Sequence, residues 1–434
     1  MERSRNPRNG DRSARSSPPE RLLPGAAGTS PRLAAALALA QVDRGGLIDD
    51  ALATWEAAHA ASDPRDRALA RELASGAVIW ARLYDHLCDR FLRPGPQSPG
   101  LRHVLRIGCH QLFACERIPV HAAVAATVEC LRPLHQAKLV PVANAVLRQV
   151  STLFHDDLDD DPPIGRIAPH ARPDDLSVRH GLPALLVSDL RHLLDSDPAR
   201  RLSDLNRRPP LSTRTKAGRS PPVGRSIVHR DGAWIWWDDP AEGLSWVRDG
   251  VCVVQDRAQG HVAELARSLA GARPGALVLD LCAAPGGKAA ALAELGCQVI
   301  AADAAARRLA TVDSQLSRLA QDGLFPALAE GACDVVVVDA PCSNSGVLGR
   351  RVEARLRYDR KHLEDLGRLQ RGLLASAARL ARPDGAIVYA TCSLSPAENQ
   401  AVAHDLAGWR LRGERLSWPD RWSSGGYVAV LVRS

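Results

Sequence analysis

The stretch Val278-Leu-Asp-Leu-Cys-Ala-Ala-Pro-Gly-Gly-Lys288 decides the fold. A short apolar run breaks into small residues, and an Ala/Leu-rich segment follows. That order reads as a buried strand, a tight loop and a helix. Gly286 and Gly287 let the backbone approach a ligand closely, and the helix start offers unpaired N–H groups. Asp303 ends the next apolar run, fifteen residues after Lys288. A carboxylate there can take both hydroxyls of a ribose, its usual role in a Rossmann-like sheet. The loop is not GxGxxG, and Ala289 follows Lys288 where a P-loop needs Ser or Thr, so neither phosphate-binding fingerprint is present.

Working outward, strand-like runs at Leu277–Leu281, Gln298–Ala302, Asp334–Val338 and Ala386–Ala390 alternate with helices starting near Gly287, Ala304 and Leu363. This alternation predicts a Rossmann-like α/β domain over residues 251–434, a doubly wound parallel sheet with ligands at the strand carboxyl ends. Upstream, Ala/Leu runs at three-to-four spacing predict helices at Arg32–Val42, Ala51–Ala61, Arg65–Phe91, Arg102–Cys115, Ala122–Leu131 and Val140–Leu153. They read as an all-α bundle over 30–155. Residues 156–250 read as a linker and small α/β module with strands at Leu211–Thr215 and Ala233–Trp237. Residues 1–29, rich in Arg, Ser, Pro and Gly, read as a disordered basic tail.

The length of 434 residues fits two or three such units. A net charge of +7 suits a polyanionic partner, but six Arg against three acids in the first 21 residues supply part of it. Arg207, Arg208, Arg214 and Lys216 are candidates for backbone contacts with RNA, and a solvated linker explains them nearly as well. The longest apolar stretch, Leu33 to Ala40, is far short of the roughly 18 residues of a membrane span. Ten cysteines without a CxxC pair or zinc-type spacing point to a reduced, cytoplasmic compartment and to no metal. A monomer is expected.

The chemistry is carried by two of those cysteines. Asp339-Ala-Pro-Cys-Ser343 follows one strand and Thr391-Cys-Ser393 another, so Cys342 and Cys392 fall on the sheet edge that also holds Asp303 and the glycine loop. Methylating cytosine at C5 demands such a set. A thiolate must add to C6 before C5 becomes nucleophilic, and it must leave again afterwards. A carboxyl group must hold the base and stabilise the electron-rich adduct. Asp339 fits that role, one cysteine the nucleophile and the other assistance in elimination. The base must arrive unstacked.

These residues resemble the Sun (Fmu) family of RNA cytosine-C5 methyltransferases. The matching stretches are LDLCAAPGGK (279–288), Asp303, VVVVDAPCSNSGVL (335–348) and YATCSLSPAEN (389–399). The resemblance implies that Cys392 is the nucleophile, that Cys342 promotes release, and that Asp339 and Lys288 contact the target base and support the site. It implies that Cys282, Ala283, Ala284, Pro285, Gly286, Gly287 and Lys288, with Asp303, Asp322 and Asp339, hold S-adenosyl-L-methionine. Glu398 and Asn399 match a stretch after the nucleophile. The helical region resembles the NusB-like domain joined to this catalytic domain in RsmB-type 16S rRNA enzymes, through Asp66-Arg-Ala-Leu-Ala70, Leu105-Arg-Ile-Gly-Cys-His-Gln-Leu112, Pro119-Val-His-Ala-Ala123 and Asn144-Ala-Val-Leu-Arg148. The implied partner is RNA, 16S rRNA above all.

The chain departs from the family pattern in three places, one of them Gly425-Gly-Tyr-Val428, which lacks the usual acidic and Phe pattern. Between Asp303 and Asp339 it is shorter, and Leu316-Ser-Arg-Leu-Ala-Gln321 has little strand character, so the third strand is expected to be largely deleted. After the Pro-Cys-Ser stretch, Arg350 and Arg351 keep a basic pair, but Val352-Glu-Ala354 and Arg357 replace what usually follows. The shortened segment motivates a second reading, an RNA-binding protein of the same fold without catalysis. A nicotinamide oxidoreductase is disfavoured by the absent GxGxxG and the paired cysteines.

Overall fold

The computed structural model describes residues 30–60, 62–155, 161–194, 197–269 and 271–434. The tail expected over 1–29 lies outside the described residues.

The N-terminal region is helical, and local chemistry sets where its helices start. Ser30, Asp63 and Ser98 each accept a hydrogen bond from the first turn, and each is followed by proline at the first helical position, opening Pro31–Val42, Pro64–Ile79 and Pro99–Ala114. The long helix expected over 65–91 is two helices. Trp80 leaves helical geometry at φ −102° and ψ 15°, and Ala81–Asp89 turns so that Leu83, Tyr84 and Leu87 pack with Leu105 and Phe113. Val120–Val128 and Val140–Ser151 complete this core through Val124, Leu147 and Val150.

The linker carries short helices whose Leu182, Leu186, Leu190, Leu202 and Leu205 pack on Leu348, Tyr358 and Leu394 of the next domain. A small antiparallel sheet follows, made of β1 (Leu211–Thr215), β2 (Ile227–Asp231), β3 (Trp234–Trp237) and β4 (Cys252–Val254), in the order β2-β3-β1-β4. Trp237 is fully buried and donates to Thr213 Oγ1 at 2.9 Å.

The C-terminal domain is built on seven strands: β5 (Leu277–Asp280), β6 (Gln298–Asp303), β7 (Ser317–Ala320), β8 (Cys333–Asp339), β9 (Ala381–Thr391), β10 (Trp409–Ser417) and β11 (Gly426–Arg433). Their order is β10-β11-β9-β8-β5-β6-β7. The strands β5 to β9 are parallel, whereas β11 runs antiparallel to both β9 and β10. The central strands bury both faces, and alternate residues sort between them. Val278, Val335, Val337, Val388 and Val430 line one core, while Leu279, Val336, Val338, Ile387 and Tyr389 line the other. Chain order reverses between β5 and β8, so the loops after these strands diverge and leave a crevice.

One expectation is corrected here. The third strand is not deleted: Ser317–Ala320 pairs in parallel with Ile300–Asp303. The shortening falls on the crossover before it, whose helix Ala306–Leu309 is a single turn. Periodicity missed the strand because an edge strand with one half-buried residue shows no apolar alternation. The antiparallel hairpin β10–β11 was likewise not read from the sequence.

The segment after Cys342 joins the domains. Val352 packs into the helical core, the Ile48 N–H donates to Glu353 Oε1 at 2.6 Å, and Arg355 is buried. The Arg355 guanidinium donates to the carbonyls of Ile79, Gly181 and Leu348 and to Asn206 Oδ1, at 2.9 to 3.3 Å. Burial pushes its pKa down to about 9, against the pull of Glu353, so it stays charged at neutral pH. Removing it strands several buried acceptors at once. Arg355→Ala is expected to lower stability by about 3 kcal/mol, read as an earlier urea midpoint; an unchanged midpoint would show the joint to be dispensable.

Candidate active site

Three loops at the carboxyl ends of β5, β8 and β9 build the site. The first, after β5, turns through Gly286, whose φ of +103° is the left-handed conformation that favours glycine. It opens the helix Gly287–Glu294, and Lys288 in the first turn points back under the sheet edge. Lys288 is buried, donates to Asp339 Oδ2 at 2.5 Å and also contacts Gln259. Burial opposes its charge, but Asp339, Cys392 and Asp280 outweigh burial and hold its pKa above the usual lysine value.

The second and third loops bring the cysteines together. The residues that follow the two cysteines meet, with the Ser343 and Ser393 hydroxyls 3.2 Å apart, and the thiols lie near enough to shift each other's acidity. The Cys392 thiol, then burial, raises Cys342 well above the ordinary thiol range. The Cys342 thiol lowers Cys392, helped by Lys288 and Arg351 against burial and Asp339. Of the two, Cys392 is the one prepared to be a thiolate. Cys282, in the first loop, is raised by burial and then by Asp280, Asp339 and Asp303, so it stays protonated.

The cysteine loops are fastened by Glu398, which sequence reading left with no firm role. This fully buried carboxylate accepts from the Ser343 N–H at 2.8 Å, Gln370 Nε2 at 3.1 Å and Ser393 Oγ at 2.6 Å. Asn399 accepts from Thr391 Oγ1 at 2.6 Å and donates to the Ser393 carbonyl at 3.0 Å. The Gly346 N–H bonds the Cys392 carbonyl at 2.9 Å, and the Gly425 N–H bonds Gly346 at 2.7 Å.

The cofactor side holds one residue that sequence reading missed. Asp280 ends β5 with both carboxylate oxygens buried and no hydrogen-bond partner among the described residues. Burial first, then the charge of Asp339, raises its pKa to about 7 against the pull of Lys288. Its signal in the sequence was an acid closing an apolar strand just before a glycine loop. Asp303 is buried at the end of β6, where it accepts from the Ala284 and Ala305 N–H groups and from Arg308 Nη2. Asp322 stands just past β7, exposed, with Oδ1 accepting from its own loop at the Leu324 N–H. A lone buried carboxylate, a left-handed glycine turn with open space at Gly287 and a second acid on the next strand fit a cationic nucleoside such as S-adenosyl-L-methionine.

The tentative RNA contacts separate. Arg207 and Arg208 are exposed, and Arg207 lies within 3.6 Å of Asp161. Lys216 is half-buried. Arg214 is held by Gln255 at 2.6 Å and Glu294 at 2.7 Å, tying the small sheet to the helix after the glycine loop. Among the described residues, no group of three or more His, Cys, Asp or Glu could hold a metal, and no helix is long and apolar enough to cross a membrane.

Two family models match the chain. Residues 269–410 match the 16S rRNA methyltransferase RsmB/F family, and residues 29–152 match the NusB family. The Ribosomal RNA small subunit methyltransferase B of Xanthomonas campestris pv. campestris is 35% identical over 404 residues, covering 86% of this chain and 87% of that one. The protein of the same name from Salmonella paratyphi B is 30% identical over 377 residues, covering 77% and 80%. The crystal structure of PH0851 shares the fold, with a TM-score of 0.71 at 20% identity over 93% of this chain and 99% of that one. With a NusB domain ahead of a Rossmann-like methyltransferase sheet, the chain belongs to the RsmB/F family of S-adenosyl-L-methionine-dependent 16S rRNA methyltransferases.

Proposed function

We propose that the protein methylates cytosine at C5 in 16S rRNA, with Cys392 as nucleophile and Cys342 assisting release. The observation that carries this reading is the meeting of two cysteine loops on one sheet edge, with the Ser343 and Ser393 hydroxyls 3.2 Å apart and Lys288 bonded to Asp339 beside them; the Cys392 pKa is lowered there and the Cys342 pKa raised. An N- or O-methyltransferase needs no thiolate, whereas C5 chemistry needs one that adds and one group that helps it leave.

In this reading the Cys392 thiolate adds to C6 of an unstacked cytosine, its lone pair forming the S–C6 bond as the C5–C6 double bond shifts toward the ring carbonyl and N3. Asp339 accepts from the exocyclic amine, and the Lys288 ammonium bonded to it supplies the positive charge that offsets the electrons N3 takes up. S-adenosyl-L-methionine, when bound, supplies the methyl group to C5. Transfer of the C5 proton to solvent water restores the double bond and expels Cys392, and the Cys342 thiol, protonated in this environment, hydrogen-bonds the departing thiolate. Asp280, Asp303 and the 282–288 loop would hold the methyl donor, with Asp322 at the outer edge of that site. The chain is read as a cytoplasmic monomer with the helical domain engaged on RNA. The alternative, a non-catalytic RNA-binding protein, rests on the shortened segment, in which β7 is nonetheless paired in the sheet.

Labelled methyl transfer to unmodified 16S rRNA should yield 5-methylcytosine with the unaltered protein and none with Cys392→Ala. Cys342→Ala should instead accumulate an RNA–protein adduct that survives denaturing electrophoresis. An adduct in Cys392→Ala would exchange the two roles. A second test follows alkylation of Cys392 against pH. Its pKa is depressed chiefly by the neighbouring Cys342 thiol, so the reactive thiolate should appear below the ordinary thiol range in the unaltered protein. In Cys342→Ala the profile should move to higher pH; an unmoved profile would mean that the contact does not tune the nucleophile. A third replaces Asp280 by Asn, which should weaken S-adenosyl-L-methionine binding in calorimetry by roughly tenfold; unchanged affinity would remove Asp280 from the cofactor site.

A further inference from the structure

The basic pair after the Pro-Cys-Ser stretch is folded against the nucleophile. The Cys392 carbonyl is bonded by the Gly346 N–H, and the 3₁₀ turn Ser345–Val347 leads straight to Arg350 and Arg351, whose N–H groups bond the Val347 carbonyl at 2.9 and 2.8 Å. Arg350 is held in place: Nη2 donates to the Pro210 carbonyl at 3.2 Å and faces Asp256 at 3.6 Å, while its Nε is buried without a partner. Behind it the chain of Arg207 and Arg208 runs in contact, since a Cβ at Gly349 would lie 2.0 Å from the Arg207 carbonyl. Arg208 and Arg351 are exposed, and neither makes an ion pair or side-chain hydrogen bond among the described residues. Arg208, Arg350 and Arg351 thus lie along one side of the site, with Asp256 facing Arg350 and Glu72 near enough to feel the Arg208 charge. Arg351 is near enough to Cys392 to stabilise its thiolate, and Arg208 near enough to disfavour the charge on Arg350.

The chemistry of the base says what belongs there. C6 is bonded to N1, which carries the ribose, and in the ordinary anti conformation the C6 edge of a pyrimidine faces the 5′ oxygen of its own nucleotide. A nucleophile placed on C6 therefore stands beside the 5′ phosphodiester, and an unpaired cation next to that nucleophile is next to a phosphate oxygen. Arginine suits this seat because its planar fork takes two phosphate oxygens. On the cytosine-C5 reading given above, we infer that Arg351, with Arg208 and Arg350 behind it, binds the phosphodiester immediately 5′ of the target cytidine, setting the register in which C6 meets Cys392. Arg351 is a positioning residue: it holds the nucleotide and takes no part in bond making.

The test is a binding cycle in the full-length chain carrying Cys392→Ala, so that thiolate acidity does not enter. An oligoribonucleotide spanning the mapped target cytosine is made with the 5′ phosphate either natural or replaced by an uncharged methylphosphonate. Neutralising the phosphate should raise Kd roughly tenfold, Arg351→Ala should do the same, and the two together should cost no more than either alone. Arg351→Ala should also reduce the slope of log affinity against log salt by about one. Unchanged S-adenosyl-L-methionine affinity in Arg351→Ala would show the fold intact. Additive losses, or an Arg351→Ala protein whose Kd and salt slope match the parent, would overturn the assignment. If the unaltered protein transfers no methyl to any 16S rRNA cytosine, the parent reading fails; the salt slope on unmodified 16S rRNA still decides whether Arg351 meets a phosphate.

Discussion

Everything at the active edge depends on a carboxylate that never meets solvent. Burying Glu398 is costly unless every lone pair finds a donor. It is met by a backbone N–H from the Cys342 loop, a hydroxyl from the Cys392 loop and an amide from the helix Arg360–Leu380. Charge-assisted bonds of this kind are short and directional. They fix the ends of β8 and β9 relative to each other far more tightly than sheet pairing does, because the ladder ends where the loops begin. The approach of the two cysteine loops follows from that clamp. The side chain that organises the chemistry bonds the residues next to both cysteines, and its charge also helps to raise the Cys342 pKa.

Charge is balanced across the same edge in layers. Lys288 is buried between Asp339, Asp280 and the Cys392 thiol, and its single positive charge serves all three. Asp280 is fully buried and lies beside the Asp339 charge, and for these two reasons its proton affinity rises despite Lys288. A site short of one positive charge is arranged for a cationic ligand, and a methyl donor bearing a sulfonium and an ammonium group brings it.

How much of this was legible in the sequence depended on the length and burial of each element. The buried strands β5, β6 and β8 announced themselves as uninterrupted apolar runs, and the loops that follow them carried the site residues by position alone. β7 was hidden because an edge strand of four residues with one half-buried side chain has neither a run nor an alternation. β10 was hidden because Arg410, Arg412, Glu414 and Arg415 make it read as a charged loop. Asp280 was quoted in the decisive stretch, yet its role emerged from what surrounds it, since isolation of a carboxylate is a three-dimensional property. Arg355 was similar: the segment that departs from the family pattern proved to be the joint between the helical domain and the catalytic loop.

Two of the strands that hid from periodicity, β7 and β10, are also the two that end the sheet. An open sheet presents unpaired N–H and C=O groups along each margin, and a second molecule's strand can add to them. β7 offers four residues with Arg318 among them, and β10 carries four charges along nine residues and a register shift between Leu411 and Gly413. Short length, charge and a bulge are the devices by which sheets resist edge-to-edge growth. The features that make these margins poor strands to the eye make them poor templates for aggregation, so a seven-stranded sheet rich in valine can remain dispersed at the concentrations a cell maintains.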